Sequence, residues 1–249
     1  MDLVFTILLI TQFGTAFITL ISLYFISAPY GRHNRKGWGF SLSAKPAWII
    51  MEFPAVATIL VMFIFGINKE TIFILFLVIW QIHYVQRTFI YPFLMKSKKQ
   101  FPFILIFFAL IFNIMNGYIN GYYLFFKATH YTIYWLYDPR FIIGLLIFIS
   151  GLIININSDH ILRTLRKPGE TGYKIPERGL FKYVASPNYF GEILEWTGWA
   201  ILTWSLAGLS FTCFTIANLM PRAYTHLKWY RSEFKDYPKN RKALIPFIY

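Results

Sequence analysis

The sequence predicts an all-α, polytopic membrane protein of seven transmembrane helices. Three observations lead there: its composition, the spacing of its uncharged runs, and the one-sided distribution of its Lys and Arg. Of 249 residues, 57% are hydrophobic, 21% aromatic and 14% charged, and the mean hydropathy is +0.49. Soluble domains carry about 25% charged residues, and a soluble fold of this length exposes too much surface to hide so apolar a chain. The 27 Phe, 17 Tyr and 8 Trp exclude disorder, and the single Cys213 excludes a disulfide within the chain.

The first run, Leu3–Ile26, has no charged residue and is long enough to cross a hydrocarbon layer of about 30 Å as a helix. It has neither a basic leader nor a small-residue cleavage site, so it reads as a retained span. Further runs lie near Ala47–Gly66, Thr71–Leu94, Phe101–Phe126 and Phe141–Ile156. The last, Tyr189–Leu219, is too long for one upright helix and suits two, with a turn near Ser205–Gly208.

Seven crossings put the termini on opposite sides, and the basic residues orient them. The loops 27–46, 95–100 and 157–188 and the tail from Arg222 together hold 20 of the 24 Lys and Arg, whereas only Lys69, Lys127 and Arg140 lie towards the other side. The amino terminus is therefore expected outside and the carboxyl terminus in the cytoplasm. The net charge of +13 suits anionic lipid headgroups or an anionic nucleotide cofactor on the cytoplasmic face. No nucleic-acid motif accompanies it.

Ionisable groups inside a span cost at least about 2.5–3.5 kcal/mol each on insertion scales, so each calls for a partner or a purpose. Glu52 is the acid of the second span, two residues before Pro54. In the third span Tyr84, Arg87, Thr88 and Tyr91 follow helical spacing and should face the bundle interior. His83, beside that stripe, reads as a hydrogen-bonded packing residue. Asn113, Asn116, Asn120 and Tyr123 form a comparable stripe in the fourth span. Asn188, Glu192, Glu195 and Trp199 form one in the sixth, with two acids a turn apart. Single amides are adequate interhelical glue, but several on one face favour a cavity wall.

At the end of the fifth span Asn155, Asp159, Arg163 and Arg166 share a face, with Pro168-Gly169 to stop the helix. An amide or acid that accepts from ribose hydroxyls, followed by guanidinium groups for phosphate, suits a dinucleotide. Five scattered His and one Cys give no metal-ligand cluster. The glycine fingerprint of a soluble dinucleotide fold and the P-loop are both missing, so a nucleotide would be held by side chains of a helical bundle.

These residues fall in segments that resemble the steroid 5α-reductase (3-oxo-5α-steroid 4-dehydrogenase) family. The carboxyl-terminal third carries Asn155-Ile-Asn-Ser-Asp159, Leu165-Arg-Lys-Pro-Gly-Glu170, Tyr173-Lys-Ile-Pro176, Gly179-Leu-Phe-Lys-Tyr183, Asn188-Tyr-Phe-Gly-Glu192-Ile-Leu-Glu-Trp196 and Asp236-Tyr-Pro-Lys-Asn-Arg-Lys-Ala-Leu-Ile-Pro-Phe247. The amino-terminal half adds Tyr30-Gly-Arg-His33, Glu52-Phe-Pro54, His83-Tyr84, Arg87-Thr88 and Asn120-Gly-Tyr-Tyr123.

The resemblance implies a single seven-helix domain over residues 1–249, with substrate-side helices in 1–126 and cofactor-binding helices, loops and tail in 140–249. It implies NADPH as cofactor and a 3-oxo-Δ4 steroid, or a steroid-like lipid, as the substrate reduced at the carbon 4–5 double bond. Glu52 and Tyr84 match the pair that hydrogen-bonds the 3-oxo oxygen. Asn155, Asp159, Arg166, Tyr173, Lys174, Asn188, Glu192, Arg222, His226 and Tyr230 match cofactor-binding positions, and Trp48, Arg87, Asn113 and Asn116 are expected around the substrate pocket. Lys174 stands where some relatives have Arg, and Lys pairs with phosphate without the planar two-bond contact.

The chemistry agrees with that pairing. Hydride attack on a conjugated enone builds negative charge on the 3-oxo oxygen, and donors aimed at that oxygen lower the barrier. Burial in hydrocarbon favours an uncharged carboxyl, which can donate. Three other readings compete: a reductase of a different lipid or polyprenol enone, a non-catalytic lipid-binding bundle, and an S-adenosylmethionine-dependent membrane methyltransferase. The last usually has Arg-His-Pro where this chain has Ala185-Ser-Pro187.

Overall fold

The computed structural model describes residues 2–27, 33, 37–96, 100–167, 170 and 172–249. The Pro168-Gly169 helix stop, the segment Tyr30–Arg32, and Arg35, Lys36, Lys98 and Lys99 lie outside these residues.

The described chain is mostly helical. It comprises α1 (Leu3–Phe25), α2 (Ala44–Phe65), α3 (Thr71–Val85), α4 (Tyr91–Leu94), α5 (Phe103–Tyr122), α6 (Pro139–Thr164), α7 (Pro187–Thr203) and α8 (Leu206–Glu233). A π-helical turn, Gln86–Ile90, joins α3 to α4 without a break, and a second, Tyr123–Lys127, extends α5. Five rods are long and apolar enough to cross a membrane: Leu3–Phe25, Ala44–Phe65, Thr71–Leu94, Phe103–Lys127 and Pro139–Thr164. Their outer faces expose large apolar side chains, for example Phe17 at 65%, Phe65 at 74% and Leu146 at 61%. Water would not tolerate such a surface and lipid covers it.

With α7 and α8 there are seven long helices, but these two differ from the apolar runs expected of them. α7 has 17 residues and holds Glu192 and Glu195. α8 has 28 and continues past the apolar stretch through Arg222, His226, Lys228 and Arg231. The expected turn between them falls at Trp204, which is left-handed (φ 43°), and Ser205. Ser205 caps α8, its Oγ accepting from Gly208 N at 3.0 Å.

One feature departs from an all-helical reading. Residues Ser41–Ser43 (β1) pair antiparallel with Gln100–Pro102 (β2), Leu42 opposite Phe101, and tie the loop before α2 to the loop before α5. The ribbon packs Leu42 and Phe101 against Ala44, Ala47, Met51 and Ile106.

Close packing sets the register of α6 on α7. Gly144 and Gly151 of α6 meet Gly198 and Gly191 of α7. A Cβ on Gly151 would lie 2.5 Å from Glu195 N, and one on Gly191 would lie 2.6 Å from Asn155 N. Only glycine permits that approach, as in other membrane helix pairs. It brings Asn155 and Asp159 against Asn188 and Glu192. Below this pair the tail folds back. Val184 bridges Lys242 in parallel, Arg241 Nη1 donates to Pro176 O at 2.8 Å, and Tyr237 and Leu244 pack with Ala185, Leu227 and Tyr230.

Candidate functional site

A cavity of 230 Å³ lies between α2, α3, α5, α7 and α8. Its apolar wall comprises Phe108, Phe112, Trp196, Phe211, Phe214 and Leu219, and its polar wall includes Glu52, His83, Tyr84, Arg87, Asn113 and Glu192. Glu52 reaches it from α2 and Tyr84 from α3. Tyr84 is held in an aromatic cage, its ring centroid 5.0 Å from Trp80, 5.4 Å from Trp196 and 5.0 Å from His83. Asn113 is anchored by donating to Met51 O at 2.6 Å, one residue before Glu52.

The buried charges form a network across the helices. Arg87 Nη1 donates to Asp159 Oδ2 at 3.0 Å, and its Nη2 lies 4.0 Å from Glu192 Oε2. The Arg87 guanidinium lies over two rings that pack on each other, 4.9 Å from Trp48 and 4.4 Å from Tyr91. Asn188 Nδ2 donates to Asp159 Oδ1 at 3.3 Å, while Asn155 Nδ2 donates to Asn188 O at 3.0 Å. His83 Nδ1 and Glu195 Oε2 are 2.5 Å apart in full burial, so His83 is hydrogen-bonded as its sequence context suggests.

The expected site residues divide by position. Arg87 and Asn113 line the cavity, as does Glu192, which the family resemblance places with the cofactor. Trp48 and Asn116, expected around the substrate pocket, are not in its wall. Trp48 is diverted by stacking on Arg87, and Asn116 by accepting from Gln12 Nε2 at 2.9 Å.

Nearer the carboxyl-terminal end of α8, Arg222 Nη2 donates to the Tyr189 hydroxyl at 2.8 Å and the guanidinium lies over that ring at 5.0 Å. His226 Nδ1 sits 3.3 Å from Ser186 Oγ, and its ring is 5.3 Å from that of Tyr189. Tyr230 differs from its neighbours. It is buried against Phe234 and Tyr237, the latter ring 5.1 Å away and nearly parallel. Arg166, Tyr173 and Lys174 belong to the exposed loop after α6. There Arg166 Nη1 donates to Gly172 O at 3.0 Å, Tyr173 meets Trp229 at 4.7 Å, and Lys174 pairs with Glu170 at 2.6 Å. That exposed pair holds the Glu170 carboxyl below its ordinary range, chiefly through the Lys174 hydrogen bond.

Ser186 and Tyr189 were not among the expected residues, nor was Gln12, a fully buried amide in α1. Tyr189 carried a signal, since it stands inside the Asn188–Glu192 segment. Gln12 carried only the fact of being a polar residue in an apolar run.

Fold and cavity define a helical membrane protein with a polar-headed, aromatic-walled chamber. A profile of the family described as 3-oxo-5-alpha-steroid 4-dehydrogenase matches residues 99–249. The chain is 42% identical over 243 residues to 3-oxo-5-alpha-steroid 4-dehydrogenase 1 of Rattus norvegicus, covering 94% of this chain and 91% of the relative. It is 45% identical over 251 residues to Steroid 5-alpha-reductase DET2 of Gossypium hirsutum (97% and 96%). It is 42% identical over 226 residues to 3-oxo-5-alpha-steroid 4-dehydrogenase 1 of Homo sapiens (88% and 86%). The chain therefore belongs to the 3-oxo-5-alpha-steroid 4-dehydrogenase family. It is an oxidoreductase acting on CH–CH groups, which sets the methyltransferase reading aside.

Proposed function

We propose that the protein reduces the carbon 4–5 double bond of a 3-oxo-Δ4 steroid with NADPH, Glu52 and Tyr84 donating hydrogen bonds to the 3-oxo oxygen. The observation that carries this reading is that the two side chains, on different helices, open into one cavity. A rigid, fused-ring ketone suits that chamber: aromatic walls take up its apolar body, and the carboxyl and phenol take its one oxygen.

Charge accumulates on that oxygen as hydride reaches the β-carbon, so both donors act more strongly on the transition state than on the bound ketone. Glu52 does this as the neutral acid. Asn113, fixed on the Met51 carbonyl, holds the wall beside it. The aromatic cage around Tyr84 restricts its ring, so little motion is needed to aim the hydroxyl.

The donor set towards the cytoplasmic end fits a phosphorylated dinucleotide. Arg222 and His226, both beside Tyr189, supply cationic and N–H groups for phosphate. Asp159, Asn155 and Asn188 supply acceptors and amides for ribose. Arg166, Tyr173 and Lys174 would close over the outer part, and Tyr230 backs the site from behind. NADPH bound there supplies the hydride, and Glu192 stands where the cofactor region meets the cavity.

In this reading all seven long helices cross the membrane, with the amino terminus outside and the carboxyl terminus in the cytoplasm. Helices in 1–126 surround the steroid, and 140–249 hold the cofactor. The test is incubation of purified protein with NADPH and progesterone. A product bearing hydrogen on the α face of carbon 5, identified by mass spectrometry and NMR, is expected. Absence of reduction with the steroid, alongside turnover of a linear polyprenol enone, would overturn the substrate assignment.

A further inference from the structure

A chain of buried amides runs from the peripheral helix α1 to the cavity wall. Trp199 Nε1 donates to Asn120 Oδ1 at 2.9 Å. Asn120 Nδ2 donates to Asn116 Oδ1 at 3.0 Å and to Asn116 O at 3.1 Å. Gln12 Nε2 donates to the same Asn116 Oδ1 at 2.9 Å. All four side chains are buried, so water does not take up either end of any amide.

The direction of this chain is dictated at one point. An indole nitrogen donates and never accepts. Asn120 must therefore turn its carbonyl to Trp199 and its NH2 to Asn116, whose backbone and side-chain oxygens both face that NH2. Asn116 answers with its carbonyl, and Gln12, on the other side of that oxygen, must present its own NH2. Reversing any one of the three amides would set donor against donor or acceptor against acceptor in a site where an unmet polar group is costly.

The NH2 of Asn116 is then forced away from Gln12 and Asn120. Its Nδ2 is buried without a hydrogen-bond partner among the described residues, on the helix that brings Phe112 and Asn113, one turn earlier, into the cavity wall with Tyr84. We infer that Trp199, Asn120 and Gln12 are positioning residues: they fix Asn116 so that its NH2 donates to the Tyr84 oxygen and leaves the Tyr84 proton for the cavity. Were Asn116 flipped, its carbonyl would accept the phenolic proton and withdraw it from any ligand oxygen. The donor polarity of the site is thus set by an indole two links away and by a helix that does not line the cavity.

This rests on the reading of Tyr84 as a donor to substrate, and the test separates the two. Gln12→Met and Trp199→Phe are each made in the full-length protein, alone and together with Tyr84→Phe. Initial rates are measured with NADPH and progesterone. In the Tyr84 background each variant should lower kcat about tenfold, the loss of one neutral hydrogen bond, with KM for the steroid within about twofold. In the Tyr84→Phe background neither should lower kcat further. Equal losses in both backgrounds, or undiminished kcat in the Tyr84 background, would overturn the inference while Tyr84→Phe itself remains impaired. Undiminished turnover in Tyr84→Phe alone would instead overturn the donor role of Tyr84. The two variants disturb opposite ends of the chain, so either suffices if the other does not fold.

Discussion

Arg87 donates to Asp159 at 3.0 Å across 72 residues of sequence, binding the π-helical turn after α3 to the carboxyl-terminal end of α6. Both side chains are buried, and each depends on the other for compensation of its charge. The stacking of Trp48 and Tyr91 on the guanidinium fixes the remaining freedom. The contact joins the helices proposed to surround the substrate with those proposed to hold the cofactor.

Removing one member of this pair should be worse than removing both. Arg87→Met leaves the Asp159 carboxylate with Asn188 as its side-chain hydrogen-bond donor, and breaking a buried pair in this way costs about 3–5 kcal/mol. The double variant Arg87→Met with Asp159→Leu should recover part of that loss. Thermal unfolding in detergent measures it; a double variant less stable than Arg87→Met would contradict the account.

Glu52→Leu and Tyr84→Phe should each reduce turnover of a 3-oxo-Δ4 steroid by about 10²–10³, the usual effect of deleting one donor to a developing oxyanion. Binding of NADPH, followed by quenching of protein fluorescence, should stay nearly unchanged. Arg222→Ala should give the reverse pattern, weakening the cofactor first. An unaltered rate in either of the first two variants would remove that residue from the oxygen-binding pair.

His83 and Glu195 meet at 2.5 Å, and the second carboxyl oxygen of Glu195, Oε1, is buried without a hydrogen bond. The pair lies beside Tyr84, whose ring meets His83 edge-on and Trp196 at a tilt. Glu195→Leu should leave the imidazole unmatched and lower stability by about 1–3 kcal/mol. Glu195→Gln, which keeps a partner for Nδ1, should lose less. The difference in melting temperature between the two decides the matter, and equal losses would assign the cost to packing.

Much of this arrangement was legible wherever a local rule governs it. Asp159 and Asn155 are four apart, so one helix face had to carry both, and the acids Glu192 and Glu195 could not be lipid-facing. The partner of Asp159 was not legible, because Arg87 reaches it only through tertiary packing. A π turn at Gln86–Ile90 widens the helix, yet the expected stripe still faces inward, with Tyr84, Arg87 and Thr88 all buried. Trp48 and Asn116 were expected around the pocket. Stacking in one case and an amide chain in the other hold them outside its wall. Gln12 had no periodic company in α1, and no pattern within that helix identifies Asn116 as its partner.

The close approach of α6 and α7 makes the last prediction. A methyl at position 191 would stand 2.6 Å from Asn155 N and 2.6 Å from Gly151 O, and both are backbone atoms that cannot turn aside. Gly191→Ala must therefore push the helices apart, at about 1–3 kcal/mol for overpacking. The displacement falls where Asn155 donates to Asn188 and Asn188 to Asp159, so the proposed ribose-facing groups move together. KM for NADPH should rise more than KM for the steroid, whose cavity wall touches α7 only at the adjacent Glu192 and, more than a turn further on, at Trp196. Gly14 of α1 meets nothing within 4 Å, and Gly14→Ala should leave melting temperature and both KM values unchanged. Equal behaviour of the two alanine variants would show that the α6–α7 contact does not hold the site.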